Sequence, residues 1–265
     1  FTYCKDFIMS LDKEYTINLH SVNGVLLGSD NSNVRFFFRN PIFLPKGNGL
    51  ITLKSASIPR SFYVVDDYND RFNIIITSTT YNITLTHGNY NANDLKTSIP
   101  ALINTKTGST PVCSMTYDKN TNKFTMTFAS TSAVIVLDTD INNSAYRLIG
   151  SPKEQHTFVA SGANMIHTSE NVVNVSQINA CNILINNMSF SDVINTGGKL
   201  DNVLHTIYFS MGFNSFEQIN ENIFDWKTFS SSGVLSYLDV SIKDLDGNFI
   251  DFNSIEWMMT LLLKT

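Results

Sequence analysis

Charge is what this sequence has least of. Asp, Glu, Lys and Arg make up 15% of its 265 residues, against roughly 25% in an average soluble protein. The 18 basic residues are dispersed, and the net charge is −5. Affinity for a phosphate backbone comes from several Lys or Arg side chains acting together, so no direct nucleic-acid partner is expected. Cysteine is nearly absent as well. Cys4, Cys113 and Cys181 are three and widely spaced, which excludes a disulfide framework and a CxxC metal site and leaves buried thiols. No apolar run reaches the ~18 residues of a membrane span, and Phe1-Thr-Tyr-Cys-Lys5 has no signal-peptide core. A soluble, non-secreted protein is expected, with room for an N-terminal arm ahead of Phe1.

Catalytic signatures are missing too. There is no GxSxG, no HExxH and no phosphate-binding glycine loop, and the five histidines are scattered at 20, 87, 156, 167 and 205. The acidic clusters fail as cation loops. Asp66-Asp-Tyr-Asn-Asp70 has the wrong ligand spacing and no closing Glu. Asp138, Asp140 and Asn142 begin like an EF-hand, but Asn143 stands where Gly is required and Ile149 where Glu should close the site. Asp244-Leu-Asp-Gly-Asn248 is a tight-turn signal. The expectation is therefore a non-enzyme with no catalytic, cofactor-binding or metal-ligating residue, which needs no metal or cofactor to fold.

What is present is apolar patterning on a neutral polar background. Hydrophobic residues make up 43%, enough for a sizeable core, and 31 asparagines join Ser and Thr to cover the surface. Period-two alternation dominates. Tyr15, Ile17 and Leu19 share a face, as do Val34, Phe36 and Phe38, and Leu50 to Ile58 is a β-rich run ended by Pro59. Gly28 to Asn33 and Pro41 to Gly49 read as loops. Later strands are expected at Val172 to Val175, Asn182 to Asn186, His205 to Met211, Leu238 to Ile242 and Trp257 to Leu263. Ser215-Phe-Glu-Gln218 has capping-box spacing and predicts a short helix. Eight antiparallel strands is the count of a jelly roll, though other sandwiches share it.

One stretch interrupts this framework. Phe72, Ile74 and Ile76 alternate, then Tyr81, Ile83 and Leu85. After His87-Gly88-Asn89 the period changes: Leu95, Ile99, Leu102 and Ile103 fall on one helical face, with Asn91 or Asn93 as N-cap and Asp94 in the first turn. Pro100 predicts a kink or a break. A hairpin follows, with Cys113, Met115 and Tyr117 facing Phe124, Met126 and Phe128 across a polar turn. Ala133 to Leu137 is a further strand, and Asn143 to Gly150 predicts one or two helical turns. The chain thus divides into a discontinuous jelly roll, 1–65 and 163–265, and a β-rich insertion domain, 66–162, of β-β-α-β-β order plus a short helix.

Three pieces carry a family resemblance: Leu53-Lys-Ser-Ala-Ser-Ile-Pro-Arg-Ser-Phe-Tyr63, the insert with Gly88-Asn-Tyr90 leading into its helix, and Leu238 to Phe252 followed by Trp257 to Leu263. Together they resemble the single jelly-roll penton or minor capsid proteins of virophages, polinton-like viruses and related large eukaryotic DNA viruses. The resemblance implies a structural protein of the virion, a homopentamer closing the five-fold vertices beside major capsid proteins built as double jelly-roll capsomers. It leaves the insert as decoration or as a contact with the host surface. The alternative is a host-attachment or glycan-binding jelly-roll module, which exposed aromatic platforms would favour.

Overall fold

The structure, a computed structural model, describes residues 13–44, 48–130, 132–176, 178–190, 202–230 and 233–265. Cys4 lies outside them. The chain forms two compact units, one of Phe1–Phe62 with Ile178–Thr265 and one of Tyr63–Gln177.

In chain order the strands of the first unit up to the crossing are β1 (Glu14–His20), β2 (Val25–Leu26), β3 (Asn33–Phe43) and β4 (Asn48–Pro59). The second unit holds β5 (Arg71–Ile76), β6 (Thr79–Thr84), helix α1 (Ala92–Thr107), β7 (Cys113–Asp118), β8 (Lys123–Phe128), β9 (Ile135–Asp138), helix α2 (Tyr146–Ile149), β10 (Gln155–Thr157), β11 (Val159–Ser161) and β12 (Asn164–Thr168). The first unit then resumes with β13 (Ala180–Ile185), β14 (Ser189–Phe190), β15 (Val203–Tyr208), β16 (Phe216–Asn220), β17 (Lys227–Ser230), β18 (Val234–Asp244) and β19 (Met258–Lys264).

The first unit is a jelly roll. One sheet runs β1-β19-β4-β17-β14, with β16 sharing the same edge of β4 as β17, and the other runs β15-β13-β18-β3-β2. Every pairing is antiparallel. The chain passes from sheet to sheet at nearly every connection, so neighbours in sequence become partners across the sandwich. Period-two alternation turns one row of each strand inward: Ile17 and Leu19, Ile51 and Leu53, Leu261 and Leu263 from the first sheet, and Val34 and Phe36, Ile183 and Ile185, Val240 and Ile242 from the second. Trp257, fully buried, lies edge-on to Phe36 at 5.8 Å.

Two expectations about the jelly-roll strands are corrected. Val172 to Val175 is no strand; Val173 and Val175 pack against the core of the second unit, which extends to Gln177 rather than ending at Gly162. The missing strand is supplied by β16 and β17. Phe216 to Gln218 is thus extended, not helical: Gln218, the capping position of the expected box, donates across to Ser57 Oγ on β4 at 2.7 Å, and Glu217 turns inward to accept hydrogen bonds from Ser210 and Met211. Pro41 also falls inside β3 rather than in a loop. It sits where the β3–β18 register shifts, between the Leu235–Ile42 and Tyr237–Phe37 pairs, a place where a strand tolerates a missing N–H.

The second unit has its own core. The sheet β10-β9-β5-β6 and the sheet β11-β12-β8-β7 close around Phe72, Ile74, Phe124, Phe128 and Leu137, and α1 packs against β6 and β7. Asn91 caps α1: its side chain accepts from Asn93 N and Asp94 N, and the Asp94 carboxylate accepts from Asn91 N. Pro100 neither breaks nor shortens the helix. Its lost hydrogen bond and crowding cost about 3 kcal/mol. Burying Leu95, Ile99 and Ile103 completely returns about 1.5–3 kcal/mol each, which outweighs it. The Cys113–Phe128 hairpin forms in the register the alternation demands. Gly150 ends α2 at φ 77°, where a Cβ would lie 2.6 Å from the Asn171 carbonyl.

Candidate functional site

The sandwich exposes apolar side chains at both flanks. At one flank, β1 and β2 are the terminal strands of their sheets, joined by a single 3-10 turn, Ser21–Asn23. Val22 is 59% exposed, and Val25, Leu26 and Leu27 continue the patch. At the opposite flank, β15 ends one sheet and β16 lies on the far side of β4 in the other. Here Tyr208 (72% exposed), Met211, Phe213 and Phe216 are followed by Ile223, which is 87% exposed in the loop between β16 and β17.

Charges at the second flank are consumed locally. Glu217, buried, accepts from Ser210 N at 2.8 Å, Ser210 Oγ at 2.9 Å and Met211 N at 3.2 Å. Arg60 donates to the Met211 carbonyl, and His205 pairs with Glu221 at 3.4 Å. Burial pushes the Glu217 carboxyl up, but the hydrogen bonds from Ser210 and Met211, with the nearby Arg60 charge, hold it below its ordinary value. A depressed folded value gives stability that is complete above the ordinary carboxylate range and is lost as pH falls through the folded value. Glu217→Gln is expected to cost about 1–2 kcal/mol at pH 7. It should also flatten the loss of stability on acidification, both measured by urea unfolding at a series of pH values; an unchanged acid limb would refute the assignment.

The acidic clusters are built as turns. Asp244 Oδ1 and Oδ2 accept from Asn248 N at 2.8 Å and Nδ2 at 3.0 Å, closing the Asp-Gly turn. Asp138 accepts from Asp140 N and Asn73 Nδ2. In the 66–70 loop, Asp66 accepts from Tyr68 N, and the buried Asp70 pairs with His87 at 3.3 Å and Arg71 at 3.2 Å. Cys113 and Cys181 are free and buried, and burial pushes the Cys113 thiol up to about 12 and Cys181 higher still.

Two histidines read from the sequence as scattered are brought together: the rings of His156 and His167 lie 5.2 Å apart, with the Glu170 carboxylate against both. Sequence reasoning missed this group because its members come from β10, β12 and the loop after it. The available signal was the clustering of Glu154, His156, His167 and Glu170 within one short stretch.

On the outer face of the second sheet Phe37 is 65% exposed and its ring meets Tyr237 at 6.1 Å and 52°. Arg35 is held in a two-point ion pair with Asp239 (2.6 and 2.8 Å) and lies 4.4 Å over the Tyr237 ring. The tyrosine face is therefore taken, and the pair offers no flat platform for a sugar ring. A shallow trough on the outer face of the first sheet is lined by Asn18, Ser55, Ser57, Gln218, Asn220 and Thr260 among others, with no Phe, Tyr or Trp.

No protein-family model and no curated protein matches the chain. Among solved structures, it is similar to the crystal structure of the selenomethionine-labelled mavirus penton protein, with 11% identity and a TM-score of 0.46 over 95% of this chain and 99% of that one.

Proposed function

We propose that this chain is a structural capsid protein, a penton that forms homopentamers at the five-fold vertices of an icosahedral virion, with double jelly-roll capsomers as its neighbours. The observation that carries the reading is the pair of exposed apolar flanks at opposite edges of one jelly roll. A closed ring needs a heterologous interface, one flank of each copy against the opposite flank of the next. Val22, Val25 and Leu26 supply one half of such an interface, and Tyr208, Phe216 and Ile223 the other. Charges that are already paired within the chain leave little to desolvate when the flanks meet. The sequence resemblance set out above supports the same role. Attachment to glycans is the weaker reading, since Arg35 occupies the Tyr237 face and the exposed Tyr208, Phe213 and Phe216 belong to the apolar flank with Met211 and Ile223.

The test is density from assembled particles, with this chain expected at the five-fold axes. Leu26→Asp and Ile223→Asp, on opposite flanks, should each abolish incorporation while leaving the isolated protein folded by circular dichroism. Density placing the chain as an internal cement or as a fibre head would overturn the vertex role. So would normal incorporation of both variants.

A further inference from the structure

We propose that His156, His167 and Glu170 form a binding site for a divalent transition-metal ion, zinc in the first place, that ties the two sheets of the second unit together. The His156 Nδ1 atom lies 3.3 Å from Glu170 Oε1, and His167 Nε2 lies 3.8 Å from Glu170 Oε2. All three ligand atoms fall within 4.8 Å of one another. Ligand atoms arranged tetrahedrally about zinc at its usual bond lengths stand about 3.3–3.5 Å apart. Small side-chain shifts therefore suffice.

Three independent features mark the group as more than adjacent side chains. First, His167 Nε2 is buried without a hydrogen-bond partner, in a side chain only 9% exposed, and it points at the Glu170 carboxylate. An orphaned buried ring nitrogen is costly unless something occupies it. Second, His156 Nε2 lies 3.3 Å from the Pro152 carbonyl. Donation there places the ring proton on Nε2 and frees the Nδ1 lone pair toward Glu170, the outer-shell arrangement of metal-bound histidines. Third, Glu170 is held from its backbone. Lys123 Nζ donates to its carbonyl at 2.8 Å, and Ser169 N and Asn171 N donate to Phe124 O and Gly150 O on either side.

The chemistry selects the ion. Two imidazole nitrogens and one carboxylate suit zinc and its neighbours in the first transition row, whereas calcium and magnesium ask for oxygen. Glu154 Oε1, 4.0 Å from His156 Nδ1, or a water completes the fourth position. β10 belongs to one sheet and β12 to the other, so the ion would cross-link them. This departs from the expectation of a metal-free fold, which rested on carboxylate loops and not on histidines from separate strands. Zinc binding here stands whether or not the chain sits at a vertex.

The test is calorimetric titration of chelator-treated, full-length protein with zinc chloride, alongside the same titration with calcium. One equivalent of zinc should bind with micromolar or tighter affinity, calcium should give no signal, and the melting temperature should rise with zinc. Glu170→Gln is 45% exposed in its side chain and is expected to leave the metal-free fold intact. It should weaken zinc at least about tenfold. Cobalt in place of zinc should give the visible absorption of a tetrahedral site, lost in the same variant. Absence of saturable zinc binding, or a Glu170→Gln protein that binds zinc with unchanged affinity, overturns the proposal.

Discussion

Trp257→Ala is expected to destabilise the jelly roll by about 3–5 kcal/mol, the range for deleting a large buried aromatic side chain. That is a large part of the 5–15 kcal/mol a domain ordinarily has in hand. The indole is fully buried and packs edge-on against Phe36. It is also a junction of polar contacts. Its ring N–H donates to the Asn31 carbonyl at 2.7 Å, and its backbone exchanges hydrogen bonds with Ser21, donating to Ser21 Oγ and accepting from Ser21 N. Asn31 in turn donates to the Ile255 carbonyl at 2.8 Å. The residue as a whole therefore joins the turn after β1, through its backbone, to the turn before β3, through its indole, at the entry to β19. Removing the indole leaves a cavity and an orphaned carbonyl together. Trp257→Phe refills most of the volume without the N–H donor and should cost less, about 1–3 kcal/mol. Urea unfolding followed by far-ultraviolet circular dichroism separates the three proteins. An alanine variant that melts within a few degrees of the parent would show that Trp257 does not hold the corner.

Legibility in the sequence followed the strength of the local pattern. β1 and β3 announce themselves because one face of each is buried, and a one-residue slip would put Ile17 or Val34 in water, while β13, β18 and β19 show as β-rich apolar stretches buried on both faces for much of their length. The capped helix was equally plain, since Asn91 and Asp94 satisfy local donors and Leu95, Ile99 and Ile103 share a face. Elements held by distant partners were harder to see. β16 is an edge strand whose Gln218 has the spacing of a capping residue, and only the folded positions of Ser57, Ser210 and Met211 give Gln218 and its neighbour Glu217 other uses. Val173 and Val175 alternate like a strand, yet they lie flat on another core with no ladder partner among the described residues. The flanks were illegible for a further reason. Exposure of Val25 or Ile223 depends on which strands end each sheet, and hydrophobicity along the chain carries no sign of that. The histidine pair needed two sheets to meet before His156 and His167 became neighbours.

Excising residues 63–177 and joining Phe62 to Ile178 through about six Gly and Ser residues should leave a folded jelly roll that melts in one cooperative step. Every described strand of the two sandwich sheets lies outside the excised stretch. The sandwich core, from Ile17 to Leu263, likewise draws on no residue within it. The ends to be joined are fixed by the sandwich itself. Phe62 packs its ring on Phe209 at 5.1 Å, and Phe209 N donates to the Asn179 carbonyl at 2.8 Å, so a short connection spans the gap. Closing a loop costs entropy that grows only with the logarithm of its length, so a short flexible link is no penalty against a long folded one. The excised stretch should fold as well, because α1, both of its sheets and its Phe72–Phe128 core are complete within it. Circular dichroism and thermal melts of the two pieces check this directly. Two cooperative transitions at separate temperatures are the expected outcome. A shortened sandwich that aggregates or lacks a transition would mean that the two units are one folding unit and that the insert is part of the jelly roll's stability.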